Sequence, residues 1–407
     1  MCSLADLATS PAVSVKRPRL LLLSYYFPPS GDVGGQRAYG FARDLPDHGF
    51  DVSVITGTPE DHLNQERLSA LPEAVDVNVV DPWFGGVFGG APNVIRVGLD
   101  RISAQSFDAI LATGPPWATL KAGLILSRRT GVPLIADIRD PWTSGELFAV
   151  HRRTVFSAIG ERIWERAVLR RASLIVGVHR AAVQRIQSAN PKLPAVRFVD
   201  VELGVEETDP EGIEGLASPF SPETCNFAHF GKLHSIVRPA TPLLDGFALA
   251  QQNPGFRNDA RLHHIGPVSV GQSYHAPPGV AFHPAMPLSE ARVLMRKADV
   301  LVLLNTWGAA AAAYPTAKIY DYLAARRPIL AVTGPGAIAA HMVKEARAGS
   351  LANVRDPRSV ADGFLGHWLT WRDHGGRVAG HHSDLRPLAR EAQTGRLSKA
   401  IGGMLSK

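Results

Sequence analysis

Short apolar runs alternate with helix-like patterns along almost the whole chain. The runs are only a few residues long and show little polar alternation, which is typical of strands buried on both faces of a parallel sheet. Helical segments separate most of these runs. The pattern therefore predicts an α/β protein in which helices cover parallel sheets.

The apolar runs fall into two series. Strands of the first series are predicted at Leu20–Ser24, Val52–Thr56, Val75–Val80, Ala109–Ala112, Leu134–Asp137 and Leu174–Val178. Strands of the second series are predicted at Asn226–Phe230, Arg261–Ile265, Val280–His283, Val300–Leu304, Ile329–Val332 and Ser350–Ala352. Two doubly wound sheets that face one another would place their ligand sites at the carboxyl ends of the strands, in a cleft between two domains.

The stretch 202–223 separates the two series. It is rich in Gly, Pro, Ser and acidic residues and has no sustained period, which is typical of a linker. We therefore predict a first domain at 17–201 and a second at 224–382. Residues 1–16 are interpreted as a loose extension, and residues 383–407 carry a helical pattern that we expect to pack back on the first domain.

Charge and length bound the class of protein. The 407 residues fit two or three domains, and they carry a formal charge of +6 with a pI near 9.4. This balance favours anionic partners such as nucleotides or a membrane surface, although solubility alone would explain it equally well. No run of Lys or Arg exceeds two residues, and no basic stretch is interleaved with aromatics, so we expect no nucleic-acid partner.

Cysteine usage and hydropathy bear on location. Cys2 and Cys225 have no metal-like or redox spacing, so no disulfide framework or zinc site is expected and a reducing, cytoplasmic compartment fits. No apolar run approaches the roughly 18 to 20 residues of a membrane span, and the chain does not begin like a signal peptide. A basic chain of this kind can still visit a membrane surface to reach a lipid-linked substrate.

The segment 314–330 predicts a ligand-facing helix followed by a strand. The helix should begin at Pro315 or the next residue and should end before Pro328. Lys318 and Asp321, three positions apart, share one face near the helix N-terminus. Because a lysine there opposes the helix dipole, we interpret it as a sign of an anionic ligand.

A glycine-rich segment follows the first predicted strand. Gly34 and Gly35 precede a helical pattern, where backbone amides can approach an anion, and Gln36 and Arg37 would add donors. The segment is neither the dinucleotide-binding glycine fingerprint nor a Walker loop. A plain flexible turn before an amphipathic helix is the alternative interpretation.

Charged residues follow the strand predicted at Leu134–Asp137. Arg139 and Asp140 should face the cleft, where Asp140 can accept hydrogen bonds from sugar hydroxyls or act as a base. Trp142 offers a flat apolar face that suits a sugar ring. The alternative is a structural pairing of Arg139 with Asp137 or with Asp140, because buried charges need partners.

Basic residues also follow the first strand of the second series. Gly231 and Lys232 come directly after it, and Arg238 stands at the start of a predicted helix. An ammonium and a guanidinium suit a diphosphate and can hold a nucleotide without a metal. His179 and His229 are interpreted as packing or capping residues.

Together these residues resemble the retaining glycosyltransferases of family 4, which have the GT-B architecture of two facing Rossmann-like domains. The resemblance spans nearly the whole chain. Its carriers are the Phe27–Gly35 opening, Asp137–Trp142, Val201–Val205, Phe230–Lys232 with Arg238, Leu288–Leu301 and Tyr314–Leu330.

The resemblance implies a nucleotide-diphospho-sugar donor bound mainly by the second domain and an alcohol acceptor bound mainly by the first. The implied donor-binding residues are Gly34, Gly35, Gly231, Lys232, Arg238, Lys318 and Asp321, with Arg238 and Lys318 on the diphosphate and Asp321 on the ribose. The implied acceptor-binding residues are Arg139, Asp140 and Trp142. Catalysis would fall to Arg238, Lys318 and Asp140.

The expected reaction moves a hexose or aminohexose. Cationic groups would stabilise charge on the departing diphosphate, and the acceptor hydroxyl would attack from the same face. The chain lacks an Asp-x-Asp pair, so we expect no essential metal and no cofactor.

One departure from the family concerns the donor sugar. Many members carry two glutamates eight positions apart, whereas this chain has Ala313 and Asp321. The missing first carboxylate keeps open a nucleotide-sugar epimerase or a pseudo-transferase. A non-catalytic sugar-nucleotide-binding subunit is a third alternative, against which the presence of Asp140, Lys318 and Asp321 argues.

Overall fold

The computed structural model describes most of the chain. The described residues are 17–58, 63, 65–85, 91–140, 142–143, 155–206, 215–233, 240–268, 276–305, 311–312, 314–376 and 378–406. Four features of the sequence analysis lie outside them, namely the extension at 1–16, part of the linker at 207–214, Arg238 and Ala313.

The first sheet has seven parallel strands. In chain order they are β1 (Arg19–Ser24), β2 (Asp51–Gly57), β3 (Asp76–Val80), β4 (Ala109–Gly114), β5 (Leu134–Ile138), β6 (Ala172–Gly177) and β7 (Phe198–Asp200). Their spatial order is β3-β2-β1-β4-β5-β6-β7. The order reverses between β1 and β4, which is the switch point at which doubly wound sheets bind ligands.

The second sheet has six parallel strands and the same kind of order. The strands are β8 (Cys225–Phe230), β9 (Ala260–Ile265), β10 (Val280–His283), β11 (Val300–Leu304), β12 (Ile329–Thr333) and β13 (Gly349–Asn353). They are arranged as β10-β9-β8-β11-β12-β13, with the switch point between β8 and β11.

Helices connect and cover the strands. Within the described residues they are α1 (Gly35–Asp44), α2 (Gln65–Ser69), α3 (Pro92–Ala104), α4 (Trp117–Thr130), α5 (Val155–Arg171), α6 (Arg180–Ala189), α7 (Thr241–Ala250), α8 (Pro254–Asp259), α9 (Leu288–Lys297), α10 (Lys318–Ala324), α11 (Ile338–Glu345), α12 (Pro357–Asp373) and α13 (Arg390–Leu405). The α/β class with two doubly wound parallel sheets is therefore confirmed.

The predicted strands agree with the observed ones to within two residues at each end, and β10 and β11 have the predicted bounds. Strand β7 was missed because its three half-buried residues give no apolar run. Helix α10 begins at Lys318, two to three residues later than expected, and it ends before Pro328 as expected.

The last helix leaves the second sheet and packs against the first. Leu397 and Ile401 of α13 are fully buried in the core that also contains Leu20 and Val54. The backbone N–H of Arg390 donates to the Val205 carbonyl at 3.0 Å, which fixes the start of α13 beside the end of the first half. No described helix is long and apolar enough to cross a membrane.

Candidate functional site

A cavity of about 410 Å³ lies where the carboxyl ends of the two sheets face each other. Its walls come from segments that follow β1, β8, β9 and β10, and from the first turn of α10. Four predicted donor-binding residues, Gly231, Lys232, Lys318 and Asp321, line it. The cleft site expected from the topology therefore has a counterpart in the structure.

Gly231 brings the backbone against a lysine side chain. Its φ of +103° is in the left-handed region, and a Cβ placed on it would lie 2.5 Å from Cε of Lys318. Its N–H is already bonded to the Ile265 carbonyl at 2.8 Å. The lack of a side chain at Gly231 therefore makes room for Lys318, and the N–H of Gly231 is held by the protein itself.

Lys318 is held by a histidine that the sequence analysis assigned to packing. Its Nζ lies 3.1 Å from Nε2 of His229, and Nδ1 of His229 lies 2.9 Å from Nδ1 of His264. Burial, followed by the charge of Lys318, lowers the pKa of His264 to about 4, so that ring is neutral near pH 7. Because the Lys318 ammonium donates to Nε2 of His229, the neutral ring of His229 carries its proton on Nδ1. That N–H then donates to Nδ1 of His264.

The carboxylate of Asp321 is hydrogen-bonded to an arginine. Arg292 of α9 donates to Oδ1 of Asp321 from Nε at 3.1 Å and from Nη2 at 2.9 Å. The carboxylate still lines the cavity although the residue is only 9% exposed. Sequence reasoning missed Arg292, because nothing in the pattern of α9 distinguishes it from a solvated cation.

The same arginine belongs to a buried cluster centred on Glu206. The arginines within 4 Å of this carboxylate are Arg43 of α1, Arg67 of α2, Arg292 of α9 and Arg390 of α13. Burial alone would raise the pKa of Glu206, but these four charges hold it well below the usual range. The cluster therefore links helices α1, α2 and α13 to α9 of the second half of the chain.

One family model matches a segment within the first half of the chain. Residues 34–204 match the model described as a glycosyl transferase 4-like domain. The match begins one residue before α1 and ends just after β7, so the resemblance drawn from the sequence is confirmed there. A comparison with curated protein sequences found no match.

Solved structures resemble the chain over nearly its full length. HepE from Anabaena, in complex with UDP, is 18% identical and has a TM-score of 0.60, with 96% of this chain and 99% of HepE covered. Sucrose-phosphate synthase from Thermosynechococcus elongatus is 14% identical at a TM-score of 0.60, with 96% and 94% covered.

A third similar structure is that of an epimerase. The UDP-GlcNAc 2-epimerase from Neisseria meningitidis, bound to UDP-GlcNAc, is 12% identical at a TM-score of 0.60, with 95% of this chain and 100% of the epimerase covered. Likeness at this level of identity concerns the fold, and it confirms the predicted GT-B arrangement.

The glycine-rich segment after β1 differs from the expected amide cradle. The N–H of Gly34 donates to the Asp32 carboxylate and that of Gly35 to the Asp32 carbonyl, each at 3.0 Å. Neither glycine lines the cavity, whereas Asp32 and Gln36 do. A Cβ on Gly34 would lie 2.6 Å from the Tyr26 ring, so close packing explains this glycine.

Arg37, expected as an additional anion donor, is instead buried in an ion pair. Its Nε lies 3.0 Å from both carboxylate oxygens of Asp137, and its Nη2 lies 2.8 Å from Oδ1. Nη1 donates to the Val201 carbonyl at 2.7 Å. The alternative pairing of Asp137 with Arg139 is therefore wrong, since Arg37 takes that carboxylate.

The three predicted acceptor residues have different surroundings in the structure. Arg139 is largely buried and donates to the carbonyls of Gly34 and Pro115, so it joins loops. Asp140 is exposed at the end of β5. Trp142 is only 2% exposed and stacks on Trp117 at 4.8 Å, which corrects the expectation of an open aromatic face.

Two further observations complete the site. Arg238, the other predicted diphosphate ligand, lies outside the described residues, as does Ala313. No group of three or more His, Cys, Asp or Glu side chains that could hold a metal ion occurs in the part of the chain that the structure describes.

Proposed function

We propose that the protein is a retaining glycosyltransferase that moves a hexose or aminohexose from a nucleotide-diphospho-sugar to an alcohol acceptor. The observation that carries the proposal is the cavity in which Lys232, Lys318 and Asp321 meet at the strand ends. Ammonium groups suit a diphosphate and a carboxylate suits ribose hydroxyls. HepE, which shares the fold, is described in complex with UDP, which supports a nucleotide as the ligand.

The proposed roles follow the chemistry of the side chains. Lys318 and Lys232 stabilise the charge that develops on the departing diphosphate, and Arg238 adds a third cation. Asp321, oriented by Arg292, accepts hydrogen bonds from the ribose. Asp140, exposed at the end of β5, faces the acceptor hydroxyl. In this scheme no metal is needed for the departure of the nucleotide.

The proposed division of labour assigns the acceptor to residues 17–201 and the donor to residues 224–382, with 202–223 as the linker and 383–407 packing on the acceptor side. We also propose a cytoplasmic site of action with contact to a membrane surface. Cys225 is buried and unpaired, which fits a reducing compartment.

Donor binding tests the proposal. The full chain is mixed with a panel of nucleotide sugars, and thermal stabilisation and slow donor hydrolysis are measured. We expect one nucleotide sugar to stabilise the protein, and Lys318→Ala to weaken that binding by about 10- to 100-fold, because it removes a charge-assisted bond. Lys344→Ala, which removes an exposed lysine of α11, is the matched control. Stabilisation by no member of the panel would contradict the proposal.

A nucleotide-sugar epimerase is the second candidate. The likeness to UDP-GlcNAc 2-epimerases supports it, because the similarity covers 92% to 95% of this chain and 94% to 100% of theirs. NMR of a bound donor separates the two. Interconversion of two nucleotide sugars without an acceptor would favour the epimerase, whereas release of nucleotide with retained anomeric configuration in the product would favour the transferase.

A further inference from the structure

Helix α5 exposes large apolar side chains on one face. Phe156 is 87% exposed and Ile163 is 61% exposed, and Val155 and Ile159 are exposed beside them. Residues 155, 159 and 163 are four positions apart, so they share a face of the helix with Phe156 at its edge. Isolated exposed hydrophobic residues are ordinary, but four on one face of one helix are not.

The charges of α5 are sorted between its two faces. Arg162, Arg166 and Arg170 are exposed and continue the apolar stripe toward the end of the helix. Both glutamates of the helix turn inward. Glu161 accepts hydrogen bonds from Lys121 at 2.7 Å and from Trp142 at 2.8 Å, and Glu165 accepts one from Thr143. The outward face therefore combines apolar and cationic groups without an acidic one.

We propose that this face of α5 docks on an anionic lipid bilayer. A helix with Phe and Ile on one face and arginines beside them can lie in the plane of the interface, with its apolar side chains among the acyl chains. The arginines would then meet anionic headgroups. A second copy of the chain fits the face less well, because a symmetric pairing would oppose three arginines with three more.

The inward face of α5 connects this surface with the acceptor side of the cleft. Glu161 and Glu165 bind the side chains of Trp142 and Thr143, which follow the exposed Asp140 closely in the chain. A bilayer under α5 would therefore lie next to the segment proposed to receive the acceptor. We infer a lipid-linked alcohol as the acceptor class, a step that rests on the proposed function, whereas lipid binding does not.

Vesicle flotation tests the surface without any donor or acceptor. The full chain is mixed with vesicles of phosphatidylcholine, and with vesicles in which about a third of the lipid is phosphatidylglycerol. We expect binding to the anionic vesicles only, and binding that weakens as salt is raised. Phe156→Ser with Ile163→Ser should weaken it about tenfold. Arg162→Gln, Arg166→Gln and Arg170→Gln should each weaken it about fivefold.

Matched controls lie elsewhere on the same half of the chain. Val196 is 68% exposed, and Arg128 and Arg129 are exposed on α4, so Val196→Ser and Arg128→Gln with Arg129→Gln should bind like the wild type. Circular dichroism establishes that each variant is folded.

Three results would overturn the proposal. One is a wild-type chain that does not float with anionic vesicles, and another is an equal loss in the controls. The third is self-association in the absence of lipid that the Phe156 and Ile163 changes abolish while flotation persists. A chain that floats but binds no nucleotide sugar would contradict the proposed function but not the proposed binding of α5 to lipid.

Discussion

Arg292 donates two hydrogen bonds to one carboxylate oxygen of Asp321, from Nε at 3.1 Å and from Nη2 at 2.9 Å. Its remaining nitrogen, Nη1, donates to Glu206 at 2.9 Å. Burial alone would lower the pKa of Arg292, but the two carboxylates raise it above its ordinary value. The carboxylate in the cavity is therefore coupled to the buried cluster centred on Glu206.

Replacement of Arg292 should affect stability and donor binding together. In Arg292→Met, Asp321 stays buried without this guanidinium, so the free energy of unfolding should fall by about 3 kcal/mol. The dissociation constant of the donor should rise, because Asp321 is no longer oriented. Urea denaturation measures the first effect and a donor titration measures the second.

A surface pair serves as the control for Arg292. Arg96 and Asp100 lie 3.5 Å apart with both side chains 68% exposed. Removal of such a pair should cost less than about 1 kcal/mol. If Arg292→Met is no more costly than Arg96→Met, the buried cluster does not hold the two halves together.

Stability should also fall as the solution is acidified toward pH 4. Burial, together with the nearby His283, lowers the pKa of His263 from an ordinary 6.5 to about 4. Burial, together with the charge of Lys318, lowers the pKa of His264 to about 4 as well. Between these values the unfolded chain binds more protons than the folded chain, so protonation favours unfolding. Each ring should contribute a loss on the order of 1 to 3 kcal/mol.

Urea midpoints measured across this window check the expectation. His263→Asn removes one titrating ring, so its stability should depend less steeply on pH than that of the wild type between pH 6.5 and about 4. The pKa of Glu206 is lowered, so its stabilisation is lost only below its ordinary value of 4.5, largely beyond the histidine window. An unchanged slope in His263→Asn would show that this ring is not buried as a neutral group.

Gly231→Ala should abolish donor binding, an effect that the strain of a left-handed backbone alone would not produce. The added methyl would meet Cε of Lys318 at 2.5 Å and displace the ammonium from the cavity. Gly131→Ala is the matched control, because Gly131 has a φ of +81° and no atom within 4 Å of the added Cβ. Both variants should lose about 1 kcal/mol of stability from the left-handed backbone. Only Gly231→Ala should lose thermal stabilisation by the donor.

The sequence predicted the elements better than it predicted their contacts. A strand buried on both faces must be apolar along its length, so β11 could be located from local pattern alone. The partner of Asp137 could not, because Arg37 is 100 residues away and reaches it only once β1 and β5 lie in one sheet. Nearby Arg139 was the natural but wrong candidate.

In the candidate site, too, local pattern indicated residues but not their partners. Lys318 and Asp321 could be found because their spacing and their place at the start of a helix are local features. The side chains that hold them, His229 and Arg292, come from β8 and α9. Contacts of this kind depend on how the second half packs, which hydrophobic periodicity does not encode.

The contact between His229 and Lys318 gives the last prediction. His229→Leu removes the acceptor 3.1 Å from the ammonium, so Lys318 should lose its orientation and the donor should bind about tenfold more weakly. His229→Gln can offer an amide oxygen to the same ammonium and should restore most of the affinity. Donor titrations are compared with thermal unfolding of both variants. A purely structural histidine would change affinity only in step with stability, and glutamine would then bring no rescue of binding.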